Sequence, residues 1–146
     1  MKTYILDACA LIAVLYSETG ADVVKAAFEE ADKGLAKIVI HKTNLLEVYY
    51  EAYRERGKDS ADLMLAELKK RPIIINAEIS DEIFAHAGRL KATYKISFAD
   101  SFALAQAIVS DGSLLTSDHH EFDVIEGKEN INFAWVRQTK GARNYL

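Results

Sequence analysis

The chain has one cysteine and one proline in 146 residues, and no excess of positive charge. With Cys9 alone no intramolecular disulfide can form, so a disulfide-stapled fold is excluded and a reducing interior is favoured. Gly/Ser linkers, low-complexity tracts and repeats of solenoid period are absent, so one compact domain over residues 1–146 is expected, long enough to bury a sizeable core. The formal net charge of −4 argues against broad attraction to nucleic acid and leaves room only for a local basic patch. Long apolar runs are missing too. Ala8 to Tyr16 is far too short to cross a bilayer, and Asp7 directly before it spoils a signal-peptide core. A cytoplasmic protein without membrane attachment is the expectation.

What is present is an alternation of strand-like and helix-like segments. Tyr4 to Leu6 is a short apolar run stopped by Asp7, and "ACALIAVLY" after it has helical composition. Ala21 to Lys33 reads as a second helix ended by Gly34, "KIVIH" as a strand, and Thr43 to Arg56 as a helix stopped by Gly57. A helix over Asp59 to Lys70 leads to Pro72, which marks its exit, and then to the strand "IIIN". Helical spacing runs from Ser80 to Tyr94 and again from Ser97 to about Val109, and "SLLT" and "INFAWV" supply two further strands. Strands that alternate with helices pair in parallel through crossovers, which predicts an α/β fold, a three-layer α/β/α sandwich around a mostly parallel sheet.

On this outline four acids share one kind of position. Asp7 follows the first strand, Glu47 lies in the first turn of the helix after the second, Asp100 opens a late helix, and Asp118 follows "SLLT". Each has a local explanation. Asp7 is a favoured helix N-cap, Asn44 with Glu47 and Ser97 with Asp100 have capping-box spacing, and Asp118 suits a turn. Together they say more, because ligands of open parallel sheets bind outside the carboxyl ends of the strands. Carboxylates gathered there raise one another's pKa unless a cation neutralises them, and oxygen-only clusters suit Mg²⁺ or Mn²⁺. Such ions polarise phosphoryl oxygens and acidify water.

The stretches "YILDACALIAVLYSETG", "NLLEVYYEAYR", "ISFADSFALAQA" and "LLTSDHHEF", in this order and spacing, resemble the PIN-domain nucleases, particularly the VapC-type toxins of prokaryotic toxin–antitoxin pairs. The resemblance spans essentially the whole chain. It implies a Mg²⁺- or Mn²⁺-dependent endoribonuclease, often a homodimer, held inactive by a small antitoxin protein. Asp7 and Asp100 match the most reliable metal-liganding acids, Glu47 and Asp118 the other two of the quartet, and Thr116 a polar residue beside the last. The resemblance also implies hydrolysis of an RNA phosphodiester that displaces the 3′ oxygen and leaves a 5′-phosphate. One position departs from the pattern: Cys9 stands where Ser or Thr is usual, and a thiol orients a neighbouring carboxylate less firmly than a hydroxyl.

Other residues carry weaker signals. His119, His120, Glu121 and Asp123 invite a zinc reading, but adjacent histidines point apart and no Cys pair or H-E-x-x-H completes a site. His41 is expected as a neutral, hydrogen-bonded strand-end residue, and His86 carries no signal. Tyr49, Tyr50 and Tyr53 suit a contact face for another chain better than a base-stacking platform. Arg137, Lys140 and Arg143 form a basic tail, and Lys69 to Arg71 a helix C-terminus. Two rival functions remain open: a catalytically weak or inactive PIN-fold domain that binds RNA or protein, and a metal-dependent phosphohydrolase of small molecules.

Overall fold

The structure is a computed structural model in which residues 1–137 are described. Lys140 and Arg143 of the basic tail lie outside the described residues. Alternation within the strands sets the layering. In β1 (Lys2–Leu6) Ile5 and Leu6 are both fully buried but face different cores, and in β2 (Ala36–His41) Ile38 and Ile40 join Leu6 while Val39 joins Ile5. Leu115 and Leu114 of β4 (Ser113–Thr116) divide the same way. A strand that is apolar on both faces belongs in the middle of a sheet covered on both sides.

The sheet order is β3-β2-β1-β4-β5, with β3 at Ile74–Asn76 and β5 at Asn132–Trp135, and every neighbouring pair is parallel. One core packs under α1 (Ala8–Leu15), α2 (Ala21–Asp32), α3 (Lys42–Arg56) and α4 (Lys58–Lys69). The other packs under α5 (Asp81–Thr93) and α6 (Phe98–Ser110) and takes in Phe122 of the short α7 (His119–Phe122). The expected three-layer α/β/α sandwich is therefore found. The "DHHEF" stretch, expected as a turn, forms α7 because Asp118 caps it by accepting the Glu121 N–H.

Helix α6 is unusual in being buried from Ser101 through Ala107, wedged between the sheet and α5. A helix that is apolar nearly all round is a core helix, which explains the run "FALAQA". Its first turn alone reaches the carboxyl edge of the sheet, and there Ser97 caps it by accepting the Asp100 N–H at 3.1 Å. Asp100 thus sits at the lip of the core and not within it.

Gly20 begins α2 with φ of +92°, and a Cβ there would lie 2.4 Å from the Val136 carbonyl oxygen and its Cγ1. Gly34 also has positive φ, +73°, but open space around it. Gly20→Ala is therefore expected to cost about 2–3 kcal/mol in urea unfolding, against about 1 kcal/mol for Gly34→Ala. Equal losses would contradict the close approach of Val136.

Candidate functional site

The strand order reverses between β1 and β4: the chain leaves β1 toward β2 and β3 on one side and returns through α5 and α6 to β4 on the other. Crevices outside the carboxyl ends of strands at such a switch are where open α/β sheets bind ligands. Asp7 ends β1 at this point, and Thr116 and Asp118 end β4 beside it.

Asp7 is 2% exposed. One carboxylate oxygen caps α1 by accepting the Ala10 N–H at 2.9 Å, and the other accepts the Thr116 hydroxyl. Thr116 Oγ1 in turn accepts the Asp118 N–H at 3.0 Å, so one hydroxyl ties the ends of β1 and β4 together. Burial raises the Asp7 carboxyl to about 7, against the lowering pull of Thr116 and Ala10, and the charges of Asp100 and Asp118 push it further up. Asp100 is raised to about 6, first by burial and then by Asp118 and Glu121, with Ser97 opposing. Glu47 is raised by burial, then by Asp100, Glu51 and Asp118.

Acids carried by separate elements thus act on one another here: Asp100 and Asp118 on Asp7, Asp118 on Asp100, and Asp100 and Asp118 on Glu47. Cys9 registers the same field: burial first, then Asp7, Asp118, Asp100 and Glu47, drive its thiol far up, so the thiolate is suppressed. Among the described residues no lysine or arginine pairs with any of the four acids. The donor set is oxygen-only, and that chemistry fits a hard divalent cation. Among the described residues no group of three or more His, Cys, Asp or Glu side chains is drawn tightly enough to form a ready-made cage.

Several expectations need correction in detail. Glu47 lies in the second turn of α3, not the first, because the helix begins at Lys42 directly after β2. The Asn44–Glu47 capping box does not form: His41 is the N-cap, accepting the Thr43 N–H on Nδ1 at 3.2 Å. Its Nε2 donates to the Glu78 carbonyl at 2.9 Å, so His41 is hydrogen-bonded through both ring nitrogens at the end of β2. Asn44 is instead fully buried, and neither amide atom finds a hydrogen bond among the described residues.

In the "DHHEFD" stretch His119 is buried, stacked at 3.7 Å on Trp135 and bound to Asp123 at 2.7 Å and the Arg137 carbonyl at 2.8 Å. It acts as a structural brace, while His120 is exposed. Arg137 spends its Nε on the Ser117 carbonyl at 3.2 Å. Tyr49 donates to Asp62 at 2.6 Å, whereas Tyr50 and Tyr53 stay half exposed. Two acids were missed as members of the field. Glu121 had a signal in its capping-box spacing from Asp118, and Glu51 in its i+4 relation to Glu47.

The family model described as PIN domain matches residues 4–128, and the chain belongs to the PIN domain family. Among curated proteins nothing matches. Among solved structures, VapBC2 from Rickettsia felis, bound to a DNA fragment from its promoter, is similar at TM-score 0.70 and 20% identity. That likeness covers 91% of this chain and 98% of that one. A toxin–antitoxin complex from Klebsiella pneumoniae is similar at 0.65 and 19%, covering 93% and 99%. VapC20 from Mycobacterium tuberculosis, a sarcin-ricin loop cleaving toxin, is similar at 0.59 and 13%, covering 76% and 86%. At these identities the likeness is one of fold.

The raised carboxyls dictate a pH dependence. In EDTA the folded chain holds protons on Asp7 and Asp100 that the unfolded chain, with aspartates near 3.8, has released. Between about pH 4 and 7 the folded state therefore binds more protons, and stability falls as pH rises through that window. Asp62 and Glu129, held down by Lys58 and Arg89, act in the opposite sense only at lower pH. The melting temperature in EDTA is expected to drop between about pH 4 and 7, and Asp7→Asn is expected to flatten the drop. A melting temperature that rises over this range would contradict the burial of Asp7. Asn44→Leu, which removes an unpaired buried amide, is expected to stabilise the protein by about 1 kcal/mol or more in urea unfolding.

Proposed function

We propose that the protein is a Mg²⁺- or Mn²⁺-dependent endoribonuclease, the toxin partner of a small antitoxin, working in the cytoplasm as a homodimer. The observation that carries this reading is the buried Asp7 at the sheet's switch point, with Asp100 and Asp118 acting on it and the same two acids acting on Glu47, in a chain of the PIN domain family. Similarity in fold to a sarcin-ricin loop cleaving toxin supports RNA as substrate, and similarity to toxin–antitoxin complexes supports the partner.

Asp7 and Asp100 are the residues that would hold the cation, with Glu47 and Asp118 completing the oxygen set. When bound, the cation supplies positive charge for the phosphoryl oxygens and acidifies water. The chain's own contributions are separate. Thr116 fixes one Asp7 oxygen and the Ala10 N–H the other, so the carboxylate cannot rotate freely. Glu47, half-buried and raised in pKa, is suited to take the proton of the attacking water. The mutual repulsion of the acids means that, without a cation, an RNA phosphate is repelled from the cleft.

The antitoxin has a matching surface. A groove of about 490 Å³ is lined by Leu11, Leu15, Phe28, Met64 and Leu68. At its edge the Arg56 guanidinium lies 4.3 Å over the Tyr16 ring and that of Arg71 lies 5.0 Å over Phe28. An amphipathic partner helix with acidic flanks fits this combination. Leu46, Tyr50 and Tyr53, exposed on α3, supply a contact face for a second copy.

Purified protein is expected to cut structured or single-stranded RNA with Mg²⁺ or Mn²⁺, and not with EDTA. Folded Asp7→Asn and Asp100→Asn variants are expected to lose about 100-fold or more in rate. Turnover of phosphomonoesters in place of RNA would favour the small-molecule reading. Folded wild type that cuts nothing and binds no divalent ion would favour a binding domain.

A further inference from the structure

Asn44 is 0% exposed, yet neither its Oδ1 nor its Nδ2 finds a hydrogen bond among the described residues. A buried amide without partners is destabilising, so the stability of the fold does not account for this residue. Its place in α3 does. At 3.6 residues per turn Asn44 lies about 20° from Glu51 and about 60° from Glu47 around the helix axis, with Val48 about 40° away on the other side. Thr43, Glu47 and Glu51 on the one side are partly exposed, and Val48, Ala52 and Leu45 on the other are buried. Asn44 is therefore the buried residue that borders the acidic flank of the helix. Because α3 starts where β2 ends, it is also one turn nearer the carboxyl edge of the sheet than Glu47.

The four acids differ in what supports them. Asp7 accepts from the Ala10 N–H and the Thr116 hydroxyl, Asp118 accepts from the Glu121 N–H, and Asp100 is hydrogen-bonded by Ser97. Glu47 has no such donor among the described residues; only burial and the charges of Asp100, Glu51 and Asp118 bear on it. The one acid of the four without a donor thus stands a turn above a buried donor without an acceptor. Residues three apart on a helix are neighbours, with Cβ atoms about 5–6 Å apart, and helix side chains lean toward the N-terminus. Glu47 therefore leans over the turn that holds Asn44. Repulsion from Asp100 and Asp118 acts on Glu47 as long as no cation offsets it, and a divalent ion reverses that force and draws the carboxylate toward the sheet edge.

We propose that Asn44 is a positioning residue for Glu47: with a divalent ion in the site, its Nδ2 donates to the Glu47 carboxylate and fixes it there, as Thr116 fixes Asp7. The inference rests on the cation site of the proposed function. Asn44 acts through Glu47 and touches neither the ion nor the RNA.

The test is the affinity of the full chain for Mn²⁺, read by titration calorimetry, with melting in EDTA as the check that each variant is folded. Asn44→Leu is expected to bind Mn²⁺ about tenfold more weakly, and Asn44→Thr, which keeps a donor, to stay within about threefold of wild type. Asn44→Ala gives the same reading as the leucine variant should leucine fail to pack. Added to Glu47→Ala, Asn44→Leu is expected to cause no further loss, since a residue acting through another is coupled to it. Wild-type affinity in folded Asn44→Leu or Asn44→Ala overturns the proposal and leaves the cation site standing. A loss that adds in full to that of Glu47→Ala, or a threonine variant as weak as the leucine one, overturns it as well. Folded wild type that binds no divalent ion overturns both the proposal and the site.

Discussion

The hydrogen bond between the Thr116 hydroxyl and the Asp7 carboxylate is the contact on which the candidate site depends. It joins the ends of two neighbouring parallel strands whose onward connections run to opposite faces of the sheet. Without a polar clamp there, Asp7 would be a buried charge with only one helix N–H for support, and burial of that kind costs several kcal/mol. With it, Asp7 is held in one orientation at a raised pKa, neither a simple helix cap nor a fully satisfied core residue. Capping and the proposed ligand binding are not rival explanations for this residue, because a carboxylate that caps α1 through one lone pair keeps others for a ligand.

The rest of the architecture delivers groups to that point. Helix α6 is apolar along most of its length so that it can pass through the core, which brings its polar first turn and Asp100 to the carboxyl edge of the sheet. Helix α3 starts immediately at the end of β2, which puts Glu47 one turn up and on the side facing Asp100's charge. The short α7, nucleated by Asp118, keeps Glu121 in the same field. Acids placed this way destabilise one another, and the fold tolerates the strain because its two cores, one on each face of the sheet, are large and apolar.

Much of this was legible in the sequence, and the reasons are local. Ile5-Leu6, Val39-Ile40 and Leu114-Leu115 are apolar on successive residues, which marks central strands, and the caps at Asp7 and Ser97 mark helix starts. The order and spacing of the acids carried the family resemblance. What was not legible depended on tertiary contacts. Capping chemistry suggested Asn44 as a partner of Glu47, but His41, fixed from the distant Glu78 carbonyl, took the cap and left Asn44 buried. The "DHHEFD" run looked like surface imidazoles, yet Trp135 and Arg137 from β5 and beyond draw His119 inward.

The central claim is that these acids form a divalent-cation site, and calorimetric titration of the protein with Mn²⁺ in two buffers of different ionisation enthalpy, near pH 6.5, tests it most directly. Asp7 and Asp100 are partly protonated at that pH, so binding must release protons and the apparent enthalpy must differ between buffers. Saturable binding with proton release is expected, the release reduced in Asp7→Asn to the share held by Asp100. Absence of binding in folded wild-type protein, or binding without proton release, would contradict the claim.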